Sequence, residues 1–362
     1  MTNPLPKTMK AMVTMGHGGP EQVVWHENWP RPEPSEGEVL IRVRACGLNN
    51  TDINTRSGWY SKAVSEATTG DAFDEVSEAD PTWGGAPLAF PRIQGADICG
   101  EIVGVGEGVD SGRIGERVIS DNWLRDPLDP MNKDKTGYFG SECDGGYAEY
   151  TVIRATNAIA VNSSLSDEEL ATFSCSSTTA EGLLTRANVT SADTVLVPGA
   201  SGGVGSAVVQ LAKRRGARVI ALASEAKHDD VAKLGADRVL GRNPEDLRAE
   251  LGDEAITVVA DVVGGDYWPQ LIEILERGGR YTCSGAIAGP IVEFDLRTFY
   301  LRDLTLTGST VIDPEVTKNL VRYIEEGTIA PSLAAVYPLE KLHEAQAAFV
   351  AKKHTGNIVV TI

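Results

Sequence analysis

Residues 194–216 read TVLVPGASGGVGSAVVQLAKRRG. Four residues of strand character, a turn with glycine at 199, 202, 203 and 205, and an amphipathic run to Gly216 spell strand, tight turn and helix. Glycines let the backbone approach a pyrophosphate closely, and the helix start offers it free N–H groups and a partial positive charge. A lone glycine turn is a weak signal, because any tight strand-to-helix connection uses one. The surroundings strengthen it. RVIALA (218–223), DDVAKLG (229–235), DRVLG (237–241), ITVVADVVG (256–264), GGRYTCSGA (278–286) and TLTGSTV (305–311) continue an alternation of short β-branched runs with helices. That alternation is the pattern of an α/β fold with a doubly wound parallel sheet. Gly199, Ala200, Ser201, Gly202, Gly203, Val204 and Gly205 are therefore read as a dinucleotide-binding loop.

The end of the second strand distinguishes the dinucleotides. A site for NAD usually places a carboxylate there to hold the ribose 2′-hydroxyl. This chain has Ala223-Ser224-Glu225-Ala226-Lys227. A hydroxyl at Ser224 and an ammonium at Lys227 suit a 2′-phosphate, with Arg242 after the next strand as a second cationic candidate. Glu225, one place along, is the counter-signal, and Ser224 and Lys227 could equally be solvated surface residues. The expected cofactor is NADPH.

Outward from this core the texture changes. Before residue 160 short β-like runs, MKAMVTM (9–15), GEVLIRVRA (37–45), CGEIVGVG (99–106), GERVIS (115–120) and YAEYTVI (147–153), are separated by turn signals, which suggests a compact, barrel-like antiparallel β domain. Two segments interrupt it, 61–90 and 121–143, and both read as long loops of the functional or mobile kind. Ser166-Asp-Glu-Glu starts a helix. Residues 339–353 form a late helix and 357–362 a last strand, which should return to the first domain.

A chain of 362 residues outgrows a single hydrophobic core, so two domains are expected. With 42% hydrophobic residues it can build real cores, and no apolar run reaches membrane-span length. The net charge of −18 disfavours nucleic acid, whose phosphates need clustered Lys and Arg. Five scattered cysteines without C-x-x-C pairing and an amino terminus without a secretory pattern suggest a reducing cytoplasm. A small-molecule substrate is the expected partner, with neither nucleic acid nor membrane.

GEVLIRVRACGLN (37–49), QGADICGEIVGVGEGV (94–109), GGYAEY (145–150), GASGGVG (199–205), ADVVGG (260–265), GAIAG (285–289) and LTLTGST (304–310) together resemble the medium-chain dehydrogenase/reductase superfamily, over nearly the whole chain. The resemblance implies a GroES-like β-barrel catalytic domain from both chain ends (1–161 and 315–362) around a Rossmann domain (162–314). In the zinc-dependent branch, a cysteine, a histidine and a second cysteine hold the metal. Here Asn49 and Ala96 stand at the first two places and only Cys175 matches, so no metal is expected. The histidines, His17, His26, His228, His343 and His354, form no ligand spacing.

The loop ACGLNNTDINTRSGWY (45–60) instead looks like that of the zinc-free quinone oxidoreductase and enoyl reductase branch. The likeness assigns Asn49 to positioning cofactor and substrate, and Tyr60 to proton donation. It gives Thr179, Val262, Gly285, Ala286, Ile287, Ser309, Thr310 and Asn357 to the cofactor. Asp52 and Arg56 should brace the loop, and Asp97 should be structural. The two long segments should reach the cleft, as a lid with Trp83, Trp123 and Tyr138 as walls, or as oligomer or salt-adapted surface. The implied activity is hydride transfer from NADPH to a quinone or α,β-unsaturated carbonyl, with a neutral substrate favoured over a CoA ester. Alcohol/aldehyde oxidoreduction and a non-catalytic NADPH-binding role stay open. A homodimer pairing through residues 305–311 is also expected.

Overall fold

The structure, a computed structural model, describes residues 5–73 and 87–362; Trp83 lies outside them. The glycine loop sits in a six-stranded, all-parallel sheet. Its spatial order is Arg238–Leu240, Arg218–Leu222, Thr194–Val197, Ile256–Asp261, Leu275–Cys283 and Thr305–Gly308. Helices cover both faces, so the central strands are buried on both sides: Val195, Leu196, Val197, Val258 and Val259 are inaccessible to solvent. Chain order reverses between Thr194–Val197 and Ile256–Asp261, and at such a switch point a crevice opens beyond the carboxyl ends of the strands.

A seven-stranded sheet carries the other domain. Glu38–Gly47 is its centre, pairing antiparallel with Asp97–Val105, Tyr150–Arg154 and Asn357–Thr361. Asn357–Thr361 also pairs parallel with Leu333–Pro338, so the chain's last strand lies beside its third. Alternating valine and isoleucine make this sheet's inner face: Val39, Ile41, Val43, Ile98 and Ile102 are buried.

Some elements differ from the sequence pattern. Val23–Pro30 is a strand paired with Thr8–Thr14, although VVWHENWP carries no clean alternation and is mostly accessible. The helix starting behind Ser166 is a single turn, Asp167–Leu170, with a capping box between Ser166 and Glu169. A longer helix, Ser174–Arg186, follows; its first half, SCSSTT, is buried yet polar, which hides it from a hydrophobic-period reading. The 121–143 segment is pinned by a short hairpin, Trp123–Leu124 against Gly137–Tyr138.

Candidate active site

A cleft with about 1820 Å3 of empty space, open to solvent, runs past the switch point. Gly202 is the N-cap of the Gly203–Arg214 helix and supplies no side-chain cap, so the first amides of the helix face the cleft as donors. Packing dictates glycine here. A Cβ on Gly205 would stand 2.3 Å from the Gly199 carbonyl oxygen, and one on Gly203 2.3 Å from Asn357 Oδ1 and 2.6 Å from Ser176 Oγ. The loop is also tied to the last strand: Gly356 N donates to the Ser201 carbonyl at 2.8 Å, and Ser176 Oγ to Asn357 Oδ1 at 2.9 Å. This cradle fits a pyrophosphate.

One end of the cleft is cationic. Ser224, Lys227 and Arg242 line it, whereas the Glu225 carboxylate does not. Lys227 Nζ donates to the carbonyls of Lys352 (2.8 Å) and His354 (2.6 Å). Lys352 is exposed along its stem, but its ammonium lies 3.7 Å over the Phe349 ring and 3.0 Å from Asn50 Oδ1. Among the described residues none of Lys227, Arg242 and Lys352 forms an ion pair with a carboxylate. Loss of water, then the Arg242 charge, lowers the pKa of Lys227, as loss of water and then Lys227 lowers that of Lys352.

The other end is built from buried acids, phenols and a thiol. Asn49 precedes the Asn50–Ser57 helix, and its backbone N–H donates to Asp52 Oδ2 at 2.8 Å. Asp52 also accepts from Tyr147 Oη (2.7 Å) and Gly95 N (3.2 Å); burial, outweighing these contacts and Arg56, pushes its carboxyl up to about 6. Arg56 donates to the carbonyls of Gly18 and Gly70. Both residues therefore brace the loop from behind. Asn49 itself lines the cleft beside Asp97, whose charged form its carboxamide favours.

Asp97 accepts from Asn122 Nδ2 and from the backbone N–H of Cys175, both at 2.8 Å; burial pushes it up to about 7 against the lowering effect of those donors and Asn49. Tyr60 is half-buried, touches Asn54 and feels the Cys175 thiol; burial raises its hydroxyl above the ordinary phenol range, so it holds its proton at neutral pH. Two edge-to-face aromatic pairs enclose this end, Trp59–Tyr60 with ring centres 5.6 Å apart and Trp123–Tyr138 at 5.0 Å.

Thr179, Val262, Gly285, Ala286, Ile287, Thr310 and Asn357 also line the cleft. Ala200 and Ser309 do not. Ala200 is inaccessible, its N–H donating to Leu222 O, and Ser309 is buried behind the wall with its N–H on Cys283 O. The described part of the 61–90 segment straps Trp59, whose Nε1 donates to Glu66 O at 2.8 Å, and reaches the opposite wall through Thr68 N to Ile287 O at 3.0 Å. Sequence reasoning left out Trp59, Lys352, Phe349 and Tyr267 as lining residues. The lysine pair Lys352-Lys353, shortly before Gly356-Asn357, was the available signal for Lys352.

Residues 35–163 match the family described as alcohol dehydrogenase GroES-like domain, and residues 203–326 the one described as zinc-binding dehydrogenase. A crystal structure from Sinorhizobium meliloti 1021, assigned provisionally as an alcohol dehydrogenase, is 46% identical with a TM-score of 0.90, covering 99% of this chain and 97% of that one. The acryloyl-coenzyme A reductase of Metallosphaera sedula is 28% identical over 98% of this chain and 100% of its own. The rat quinone oxidoreductase is 26% identical over 94% and 93%. With its GroES-like β domain, its Rossmann sheet and its end-to-end similarity to these proteins, the chain belongs to the medium-chain dehydrogenase/reductase superfamily of oxidoreductases.

Proposed function

We propose that the protein is an NADPH-dependent, metal-free reductase of neutral conjugated carbonyls, quinones or enones. The observation that carries this reading is the partition of charge along the cleft: cations without paired carboxylates at one end, buried uncharged donors between aromatic rings at the other. Ser224, Lys227 and Arg242 are the groups to hold a 2′-phosphate, and the Gly203 helix start the group to hold the pyrophosphate. When bound, the reduced nicotinamide supplies the hydride. The chain's residues do the rest. Asn49, Thr179 and the 285–287 backbone orient the ring, the aromatic pairs exclude water, and Tyr60 Oη holds the proton that completes reduction.

The donor set at the metal position of the zinc-dependent relatives does not fit a metal. It consists of a carboxamide (Asn49), a methyl group (Ala96) and one thiol (Cys175), whose pKa burial raises. Among the described residues no cluster of three His, Cys, Asp or Glu is placed to bind an ion. No step is therefore routed through a metal. The same residues disfavour alcohol oxidation, which needs stabilisation of an alkoxide.

The reading extends to a homodimer. Thr305–Gly308 is an edge strand, and next to it Leu296, Tyr300 and Leu301 are more than half exposed, an apolar surface suited to a second copy. No helix among the described residues is long and apolar enough to cross a membrane. NADPH oxidation followed with quinone, enone, enoyl-thioester and aldehyde substrates tests the function. Turnover is expected with the first two; preferential aldehyde reduction, or tight NADPH binding with no turnover, would overturn it.

A further inference from the structure

Tyr138 lies in the 121–143 segment, which the sequence offers as an apolar wall of a lid or as oligomer or salt-adapted surface. Its ring does pack on Trp123, but its hydroxyl is the more informative part. Asn122 Nδ2 lies 2.8 Å from Asp97 Oδ1 and 3.3 Å from Tyr138 Oη. Asp97 Oδ1 already accepts from the Cys175 N–H and is therefore an acceptor whether or not the carboxyl is protonated, which fixes the facing end of the Asn122 carboxamide as its NH2 group. One amide proton then goes to Asp97 and the other to the phenol oxygen.

Tyr138 Oη thus accepts from Asn122, and its own proton must point elsewhere. One hydrogen-bonding neighbour on that side is the Cys175 thiol, and sulfur is a weak acceptor. The thiol is itself fixed, since the Cys175 N–H donates to the same Asp97 oxygen. A phenol that accepts one hydrogen bond is a better donor through its own proton. Here that proton rests on a poor acceptor, and Tyr138 lines the same cleft as Asn49, Tyr60 and Thr179.

We infer that Tyr138 is a catalytic hydrogen-bond donor to the substrate's carbonyl oxygen, with Asn122 and Asp97 as the positioning residues that aim it. This rests on the proposed conjugate reduction. In that reaction the substrate gains a hydride at its β-carbon, the C=C electron pair moves toward the carbonyl, and negative charge grows on the oxygen. The Tyr138 proton meets that charge without leaving the phenol. The enolate then takes one proton at its α-carbon from Tyr60, which recovers it from solvent, so the substrate gains one hydride, which carries both electrons, and one proton. The two tyrosines divide the work: Tyr138 stabilises the oxygen and Tyr60 protonates carbon.

Tyr138→Phe keeps the ring, its stacking and the wall, and removes only the hydroxyl. With 3-penten-2-one as substrate it should lower kcat about 100-fold, the scale of losing one oxyanion donor, with KM within about threefold, a near-normal split that packing loss would not produce. NADPH affinity, read by tryptophan fluorescence, and Tm should stay at wild-type values. Asn122→Leu should reproduce part of the kcat loss. Tyr60→Phe, run in D2O, should instead lose stereospecific deuterium incorporation at the α-carbon. An active wild type with an equally active, folded Tyr138→Phe enzyme would overturn the inference, as would a variant whose lost activity follows lost NADPH binding. Should Tyr138→Phe not fold, unchanged kcat in a folded Asn122→Leu enzyme would overturn it. Failure of the wild type to reduce any conjugated carbonyl would instead remove the functional reading beneath it.

Discussion

The two ends of the cleft solve different electrostatic problems with different materials. At the glycine loop the donors are backbone amides at a helix start, and the nearby cations Lys227 and Arg242 form no ion pair with a carboxylate among the described residues. At the Asn49 end, two buried carboxyls, two phenols and a thiol sit together, and burial pushes each toward its neutral form. A multiply charged anion finds counter-charge at the first end and none at the second. Under the proposed function, the first end would take a phosphorylated cofactor and the second an uncharged, polarisable substrate.

The largest expected effect comes from filling the glycine cradle. Gly203→Val forces a side chain into Asn357 and Ser176 at the interdomain tie, so NADPH binding, measured by fluorescence titration, should weaken more than 100-fold and activity with it. Next is the cationic end. Charge-assisted hydrogen bonds contribute about 1.5–3 kcal/mol each, so Lys227→Ala combined with Arg242→Ala should raise the Kd for NADPH at least tenfold and leave that for NADH within about threefold. An equal loss for both would erase the distinction between the ends.

A smaller effect is expected in the pH dependence of stability. Asp97 and Asp52 have folded-state pKa values of about 7 and about 6, above the ordinary carboxyl value, so the folded protein binds more protons than the unfolded chain between about pH 4 and 7. Their contribution is present below that window and is lost as pH rises through it. Calorimetry should therefore show the Tm of the wild type falling relative to that of Asp97→Asn between pH 5 and 8. A parallel pair of curves would mean that Asp97 is ionised throughout. The smallest effect belongs to the sheet edge: Leu301→Glu should shift the protein from dimer to monomer in light scattering while kcat/KM changes by less than about twofold.

The cofactor end was legible in the sequence because its chemistry is local. A strand, four glycines and a helix start within twelve residues carry the cradle, and Ala223 through Lys227 put Ser224 and Lys227 on the cleft wall. The substrate end was only half legible. Asn49 and Tyr60 stand in one recognisable loop, but the polar cluster joins Asp97, Asn122, Tyr138 and Cys175, residues from three separate segments that the fold brings together. Nothing in the spacing of 121–143 announces that two adjacent residues, Asn122 and Trp123, address one tyrosine sixteen positions on. Ser309 shows the opposite failure. It stands beside a lining threonine, but just past the edge strand its N–H is held by the Cys283 carbonyl and its side chain is buried.

The central claim, a metal-free site that reduces a conjugated bond, is tested most directly by the identity of the product. Incubated with NADPH and 3-penten-2-one, the protein should consume one equivalent of cofactor per equivalent of 2-pentanone seen by NMR. The allylic alcohol 3-penten-2-ol as the sole product would contradict the account.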